Sequence, residues 1–266
     1  MTIEEASPAK PFRRAIVRPP GPNFAEGLTT VDLGCPDYDR ALSQHASYCE
    51  ALEECGLKLE RLLPDLRHPD STFVEDTAIL TPRGAILTRP GAKSRSGEVA
   101  GIREALSEFY PEFGEITPPG TLDGGDICEA GDHYFIGISE RTNSEGARQL
   151  SLLLAGAGYT SANVDIRSVP GILHLKSGIA YAGDGRLAAI EALAGHPTFR
   201  SFQVVSVSPG EEYAANFIRV NDRVLFAAGN PRLEKTLRGL GYDLILLEMS
   251  EFQKMDGGLS CLSLRF

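Results

Sequence analysis

The strongest constraint on the fold of this chain is a unit that recurs along it: a strand, a tight polar turn, a returning strand, then a helix and a further strand. One copy runs from 77–80 through the turn at Pro82 and Gly84 to 85–89, then a helix with Val99, Ile102, Leu106 and Phe109 on one face and a short strand near 115–116. A second has strands at 126–130 and 133–138, a helix through Ala147, Leu150 and Leu154, and a strand around 164–166. A third turns at 183–185, returns through 186–190 and has a strand at 202–207. A fourth turns at Asn221 and Asp222. In its helix Asn230 suits the N-cap, Pro231 the first turn and Gly241 the C-cap, and Leu233, Leu237 and Leu240 form the inner face. The run at 243–248 reads as an apolar strand of the fully buried kind.

The two ends of the chain supply what these copies leave over. Residues 14–18 read as a strand stopped by prolines, 22–35 as a surface loop, and 37–55 as a helix through Ala41, Leu42, His45, Cys49 and Leu52. A strand at 57–63 follows, and 260–266 reads as a final strand with no partner downstream. Paired with 14–18 it completes a fifth unit. The expected fold is therefore α/β, a five-bladed αβ propeller of repeated ββαβ units closed by the N- and C-terminal strands, which leaves few exposed sheet edges. A doubly wound sheet competes, but it does not require a polar hairpin turn in every unit. With no linker or low-complexity stretch, 1–266 is expected to be a single domain.

Chemistry concentrates where each unit enters its first strand. Those segments carry His68, Asp70, Glu75 and Asp76, then Asp123 and Asp126, then His174 and Lys176, then Glu211 and Asn216, then Asp256 and Cys261. In a ring, equivalent positions converge on one end of the axis. A cysteine attacks as thiolate, a histidine can protonate a leaving amine and then deprotonate water, and a carboxylate can orient the histidine. The remaining carboxylates exceed what a thiolate needs and suit a cationic substrate, a guanidinium best of all. Taken singly, each residue has a plain structural alternative: Cys261 a small core residue, His174 a hydrogen-bonded structural histidine, Asp123 and its glycines a turn.

Composition narrows the class. A formal net charge of −10 disfavours nonspecific binding to nucleic acid or anionic membrane. The five cysteines show no Cys-x-x-Cys spacing, which argues against a zinc or redox site and for a reducing compartment. The N-terminal MTIEEASPAKPFRRAIV has no apolar core of signal-peptide length, and no apolar run is long enough to span a membrane. A cytoplasmic protein is expected.

Six ordered motifs carry a family resemblance: FVEDT at 73–77, TRPG at 88–91, LDGGD at 122–126, SERTN at 139–143, HLKS at 174–177 and DGGLSC at 256–261. With them the chain resembles the dimethylarginine dimethylaminohydrolases of the guanidine-modifying (pentein) superfamily, over nearly its whole length. The resemblance implies a five-bladed αβ propeller that hydrolyses Nω-methylated arginines to citrulline and a methylamine, with no metal or organic cofactor. It makes Cys261 the nucleophile, His174 the acid and base, and Asp123 the support of the histidine, at a position where the family has Asp or Glu. It places Asp76 and Glu75 at the substrate guanidinium, Asp70 and the Leu28 carbonyl at the α-amino group, Arg89 and Arg141 at the α-carboxylate, and Phe73 along the alkyl chain. Asp256 and the Met255 carbonyl are expected to face the guanidinium, and the loop around Leu28 to act as a lid. The implied partner is the small-molecule substrate alone, with the chain a monomer or homodimer. Arginine deiminase or amidinotransferase chemistry would use the same groups, and a non-catalytic binder of cationic amino acids is the alternative of another class.

Overall fold

The computed structural model describes residues 11–266, so the polar lead read at residues 1–10 lies outside the described residues. Its strands form five three-stranded sheets that share one plan. In each, an inner strand pairs antiparallel with a middle strand, and the middle strand pairs parallel with an outer strand. A tight turn can make the first pairing, whereas the second needs a crossover, and this is where the helices fall.

In chain order, β1 (Arg14–Val17) is followed by α1 (Tyr38–Glu54) and β2 (Lys58–Arg61). The second blade is β3 (Ala78–Thr81), β4 (Gly84–Leu87), α2 (Glu98–Ser107) and β5 (Phe113–Glu115). The third is β6 (Ile127–Ala130), β7 (His133–Ile138), α3 (Ser144–Gly156) and β8 (Thr160–Asp165). The fourth is β9 (Ile179–Gly183), β10 (Arg186–Ile190), the single turn α4 (Glu191–Ala194) and β11 (Gln203–Val207). The fifth is β12 (Ile218–Val220), β13 (Arg223–Ala227), α5 (Pro231–Gly239) and β14 (Asp243–Leu247). After α6 (Ser250–Gln253) the chain ends in β15 (Leu264–Arg265).

Closure is made by β15 against β1, with Ala15 opposite Arg265 and Ile16 opposite Leu264. The Phe266 carbonyl accepts from the Arg14 N–H at 2.8 Å and the Arg13 N–H at 2.9 Å. The final strand is shorter than the sequence suggests. Residues Ser260–Leu262 wind into a 3-10 turn, so Cys261 sits on that turn and not at the start of a strand.

Apolar side chains pack between neighbouring blades. One cluster joins the third, fourth and fifth blades through Phe135, Leu187 and Phe226, with Phe135 edge-on to Phe199 at 5.0 Å. Others join the fifth blade to the first, the first to the second, and the second to the third. The run at 243–248 is not fully buried: β14 is an outer strand, and Asp243 and Leu246 face away from the core, Leu246 with 41% exposure. Nor does the Asn230 side chain cap α5; its amide donates to the Ala227 and Ala228 carbonyls. The Glu211 carboxylate, in another turn upstream, accepts the Arg232 and Leu233 N–H groups instead, at 3.0 and 2.8 Å.

Every inner strand is entered through a 3-10 turn: Val74–Thr77, Gly124–Asp126, Leu175–Ser177, Glu212–Ala215 and Ser260–Leu262. These turns pack on one another around one end of the axis. Among the described residues no helix is long and apolar enough to cross a membrane.

Candidate active site

The entry turns enclose a cleft lined by Leu28, Asp70, Phe73, Asp76, Arg95, Arg141, Leu173, His174, Met255, Asp256, Gly257 and Cys261. Asp76, His174 and Cys261 come to it from three of the entry turns, and Leu28, Arg95 and Arg141 from segments between them.

His174 is 6% exposed and its Nε2 lies 3.0 Å from Asp123 Oδ2. Asp123 is itself fixed: Oδ1 accepts the Gly91 N–H at 2.8 Å, and its own N–H donates to Thr142 Oγ1. Asp126 anchors the histidine's turn from beneath, accepting the Leu175 N–H at 2.9 Å and the Ser139 hydroxyl at 2.6 Å. Burial by itself would lower the imidazole pKa. Asp76, the hydrogen bond to Asp123, and Asp126 outweigh it and raise it to about 9. The shift favours the imidazolium at neutral pH, with Asp76 and Asp123 as its counter-charges.

Cys261 is 8% exposed. Burial, followed by the nearby Glu75 and Asp76 carboxylates, raises its thiol to about 12, against smaller opposite effects of the Gly258 backbone and Lys176. Its loop is tied down by Asn216, which accepts the Ser260 N–H at 2.8 Å and donates to Ser260 Oγ at 3.0 Å and to the Lys176 carbonyl at 2.9 Å. The Tyr213 hydroxyl donates to the Gly257 carbonyl at 3.0 Å. In the sequence Asn216 stood among the polar residues at the blade entrances without an assigned role, and Tyr213 lay in the same segment with none.

Asp76 accepts the Gly125 N–H at 2.7 Å and pairs with Arg95 Nη1 at 2.5 Å. Burial opposes its charge, but His174 and Arg95 prevail and lower the carboxyl to about 2. Asp70 accepts the Leu28 N–H at 3.0 Å, and Phe73 packs on Phe24 and Phe252 while lining the cleft.

Three of the expected site residues hold contacts of their own in the structure. Arg89 does not line the cleft; its Nη1 donates to the Gly120 carbonyl at 3.0 Å. The guanidinium that reaches the cleft from this part of the chain is Arg95, which also pairs with Glu98 at 2.7 Å and donates to the Phe73 carbonyl at 3.0 Å. Glu75 does not line the cleft either, but lies behind Cys261 in an ion pair with Lys176. Asp256 lines the cleft, but its carboxylate accepts the Thr30 N–H and hydroxyl, and Thr29 Oγ1 donates to the Lys254 carbonyl at 2.9 Å. The Leu28 loop is thereby latched over the cleft.

No family model matches this chain. The N(G),N(G)-dimethylarginine dimethylaminohydrolase of Pseudomonas aeruginosa is 45% identical over 256 residues, which is 96% of this chain and all of that protein. The chain belongs to the dimethylarginine dimethylaminohydrolase family. The enzyme of that name from Streptomyces coelicolor, 37% identical across 96% of this chain and 97% of its own length, agrees. So does the crystal structure of a cysteine-to-serine variant of the Pseudomonas dimethylarginine dimethylaminohydrolase complexed with citrulline, with a TM-score of 0.93, 44% identity, and coverage of 97% of this chain and 100% of that one. The five-bladed αβ propeller is the fold that this chain shares with that structure.

Proposed function

We propose that this chain, as a single catalytic domain, hydrolyses Nω-methylated arginine to citrulline and dimethylamine or methylamine through a covalent Cys261 intermediate. The observation that carries this reading is the meeting of Cys261, the His174–Asp123 pair and Asp76 in one cleft with Arg95 and Arg141. A free amino acid with a cationic side chain has a charge for each. The relative solved with citrulline supports the same substrate class.

Binding puts the substrate guanidinium against Asp76, the α-amino group against Asp70 and the Leu28 carbonyl, and the α-carboxylate against Arg141, while Arg95 stays paired with Asp76 and Glu98. Asp256 and the Met255 carbonyl close the cleft above. A thiol with a pKa near 12 is inert at neutral pH. A guanidinium docked on it favours the thiolate by direct Coulomb attraction, so the thiol releases its proton to solvent as substrate binds. Sγ then bonds to the guanidinium carbon. The imidazolium of His174 gives its proton to the departing amine as the C–N bond breaks, leaving a thiouronium. The ring, now neutral and held by Asp123, takes a proton from water as the oxygen attacks the same carbon. The C–S bond breaks and citrulline is released. Five free cysteines fit a reducing, cytoplasmic setting, and the site is complete within one chain, as a monomer or within a homodimer.

The test is a citrulline assay with asymmetric dimethylarginine, monomethylarginine and arginine. Equal yields of citrulline and dimethylamine, lost in Cys261→Ala, are expected. Preferred turnover of arginine would replace this reading with a deiminase, and activity surviving in Cys261→Ala would sink the covalent mechanism.

A further inference from the structure

Behind the nucleophile, on the side away from the cleft, lies a buried ion cluster that the reaction scheme leaves unused. Glu75 Oε2 accepts the Ser260 hydroxyl at 2.8 Å, and Ser260 Oγ stands 3.9 Å from Cys261 Sγ. Glu75 Oε1 lies 2.5 Å from Lys176 Nζ and 3.6 Å from Arg265 Nη2. Arg265 belongs to the closing strand β15 and is braced by Ser263 Oγ at 2.7 Å, which in turn pairs with the Tyr48 hydroxyl at 2.6 Å. Glu75 is 5% exposed.

A bare carboxylate one residue's reach from a cysteine opposes thiolate formation, and in a dry site it does so strongly. If Glu75 served only to attract a guanidinium, a cation paired with it from behind would weaken that service. If it served only the fold, it would not need to reach the serine beside the nucleophile. Both facts fit another role. We infer that Lys176 is a positioning residue for the thiolate: paired with Glu75, with Arg265 as a second cation, it cancels the carboxylate behind Cys261 and, through Ser260, holds the nucleophile's turn. This rests on Cys261 being the nucleophile.

Cys128 and Glu129 of β6 and Tyr48 of α1 face the ion cluster, and further charged or titratable groups stand around Cys261. His174 and Asp76 face it across the cleft, and Asp256 lies on its own loop. Tyr213 lies beside its loop. Asp70, Arg95 and Arg141 line the cleft farther along. None of them pairs with Glu75 among the described residues, so the balance between Glu75 and Lys176 can be altered without touching them.

The test is the rate at which iodoacetamide alkylates Cys261, read on its own peptide by mass spectrometry from about pH 7 to about pH 11. Lys176→Met is expected to slow alkylation about tenfold or more at fixed pH and to move the profile up by about one unit or more. Its kcat should fall further than its KM rises. Adding Glu75→Gln should return the alkylation profile to the wild-type position, and Lys176→Arg should retain it. An unchanged profile in Lys176→Met, or a double variant as slow as the single one, would overturn the inference. Should Lys176→Met not fold, Glu75→Gln alone decides: a profile moved to lower pH supports the inference and an unmoved one overturns it. Turnover in Cys261→Ala would refute the nucleophile assignment while leaving the alkylation result readable, so the two failures are distinct.

Discussion

At the scale of residues, the Asp123–Asp126 turn shows why two glycines stand between two aspartates. A Cβ on Gly125 would meet His174 Nδ1 at 2.6 Å and Asp76 Oδ1 at 3.0 Å, so the imidazole can lie against this turn only where no side chain intervenes. Gly125→Ala should displace the ring and lower kcat about 100-fold while leaving the fold intact, as measured by steady-state kinetics and circular dichroism. The proton on His174 sets the pH dependence. Its pKa in the folded chain is about 9 against about 6.5 unfolded. The imidazolium therefore contributes stability that is whole below pH ~6.5 and is lost as pH rises through ~9. Because the departing amine needs that proton, kcat/KM should fall above about pH 9. In His174→Gln the melting temperature should lose its dependence on pH across that same interval.

At the scale of elements, two segments do double work. β15 closes the ring and carries Arg265 to the ion cluster behind the nucleophile. Ending the chain at Ser263 would remove the buried Leu264, the Phe266 carbonyl that accepts two N–H groups, and the Phe266 ring set 5.0 Å from Phe109. Loss of a buried leucine alone costs about 2–5 kcal/mol. The truncated chain should melt at least about 5 °C lower by calorimetry and lose most of its activity. The Glu212–Ala215 turn and its flanks hold both α5, through Glu211, and the nucleophile's loop, through Tyr213 and Asn216. Glu211→Ala should cost about 1 kcal/mol as a lost cap, read from denaturant unfolding, with little change in kcat.

At the scale of the molecule, the cleft gathers residues from three of the five blade entrances, at Asp76, His174 and Cys261, and is latched by the Leu28 loop through Asp70 and Asp256. A ligand held there bridges turns from several blades and so opposes unfolding of the whole ring. Dimethylarginine at about 100 times its Kd should stabilise the non-hydrolysing Cys261→Ser variant by about 2.7 kcal/mol, a rise of roughly 5–10 °C in melting temperature, and arginine should do less at the same concentration.

Much of this was present in the sequence because it is periodic or local. Turn residues that accept left-handed backbone, such as Asp184 and Asn221, marked the hairpins, and alternation and helical spacing marked strands and helices. With those the fivefold plan and the convergence of His174, Asp123, Asp76 and Cys261 followed. The tertiary structure alone decided which arginine enters the cleft. Arg89 and Arg95 flank one short loop, and nothing in their neighbours' identities tells that backbone direction sends the first to Gly120 and the second to Asp76. It likewise decided that Glu211 caps a helix in place of Asn230, and that Glu75 meets Lys176 and Arg265 behind the cysteine. Those pairings join residues far apart in the chain, and their energy depends on distance and burial, which no local pattern encodes.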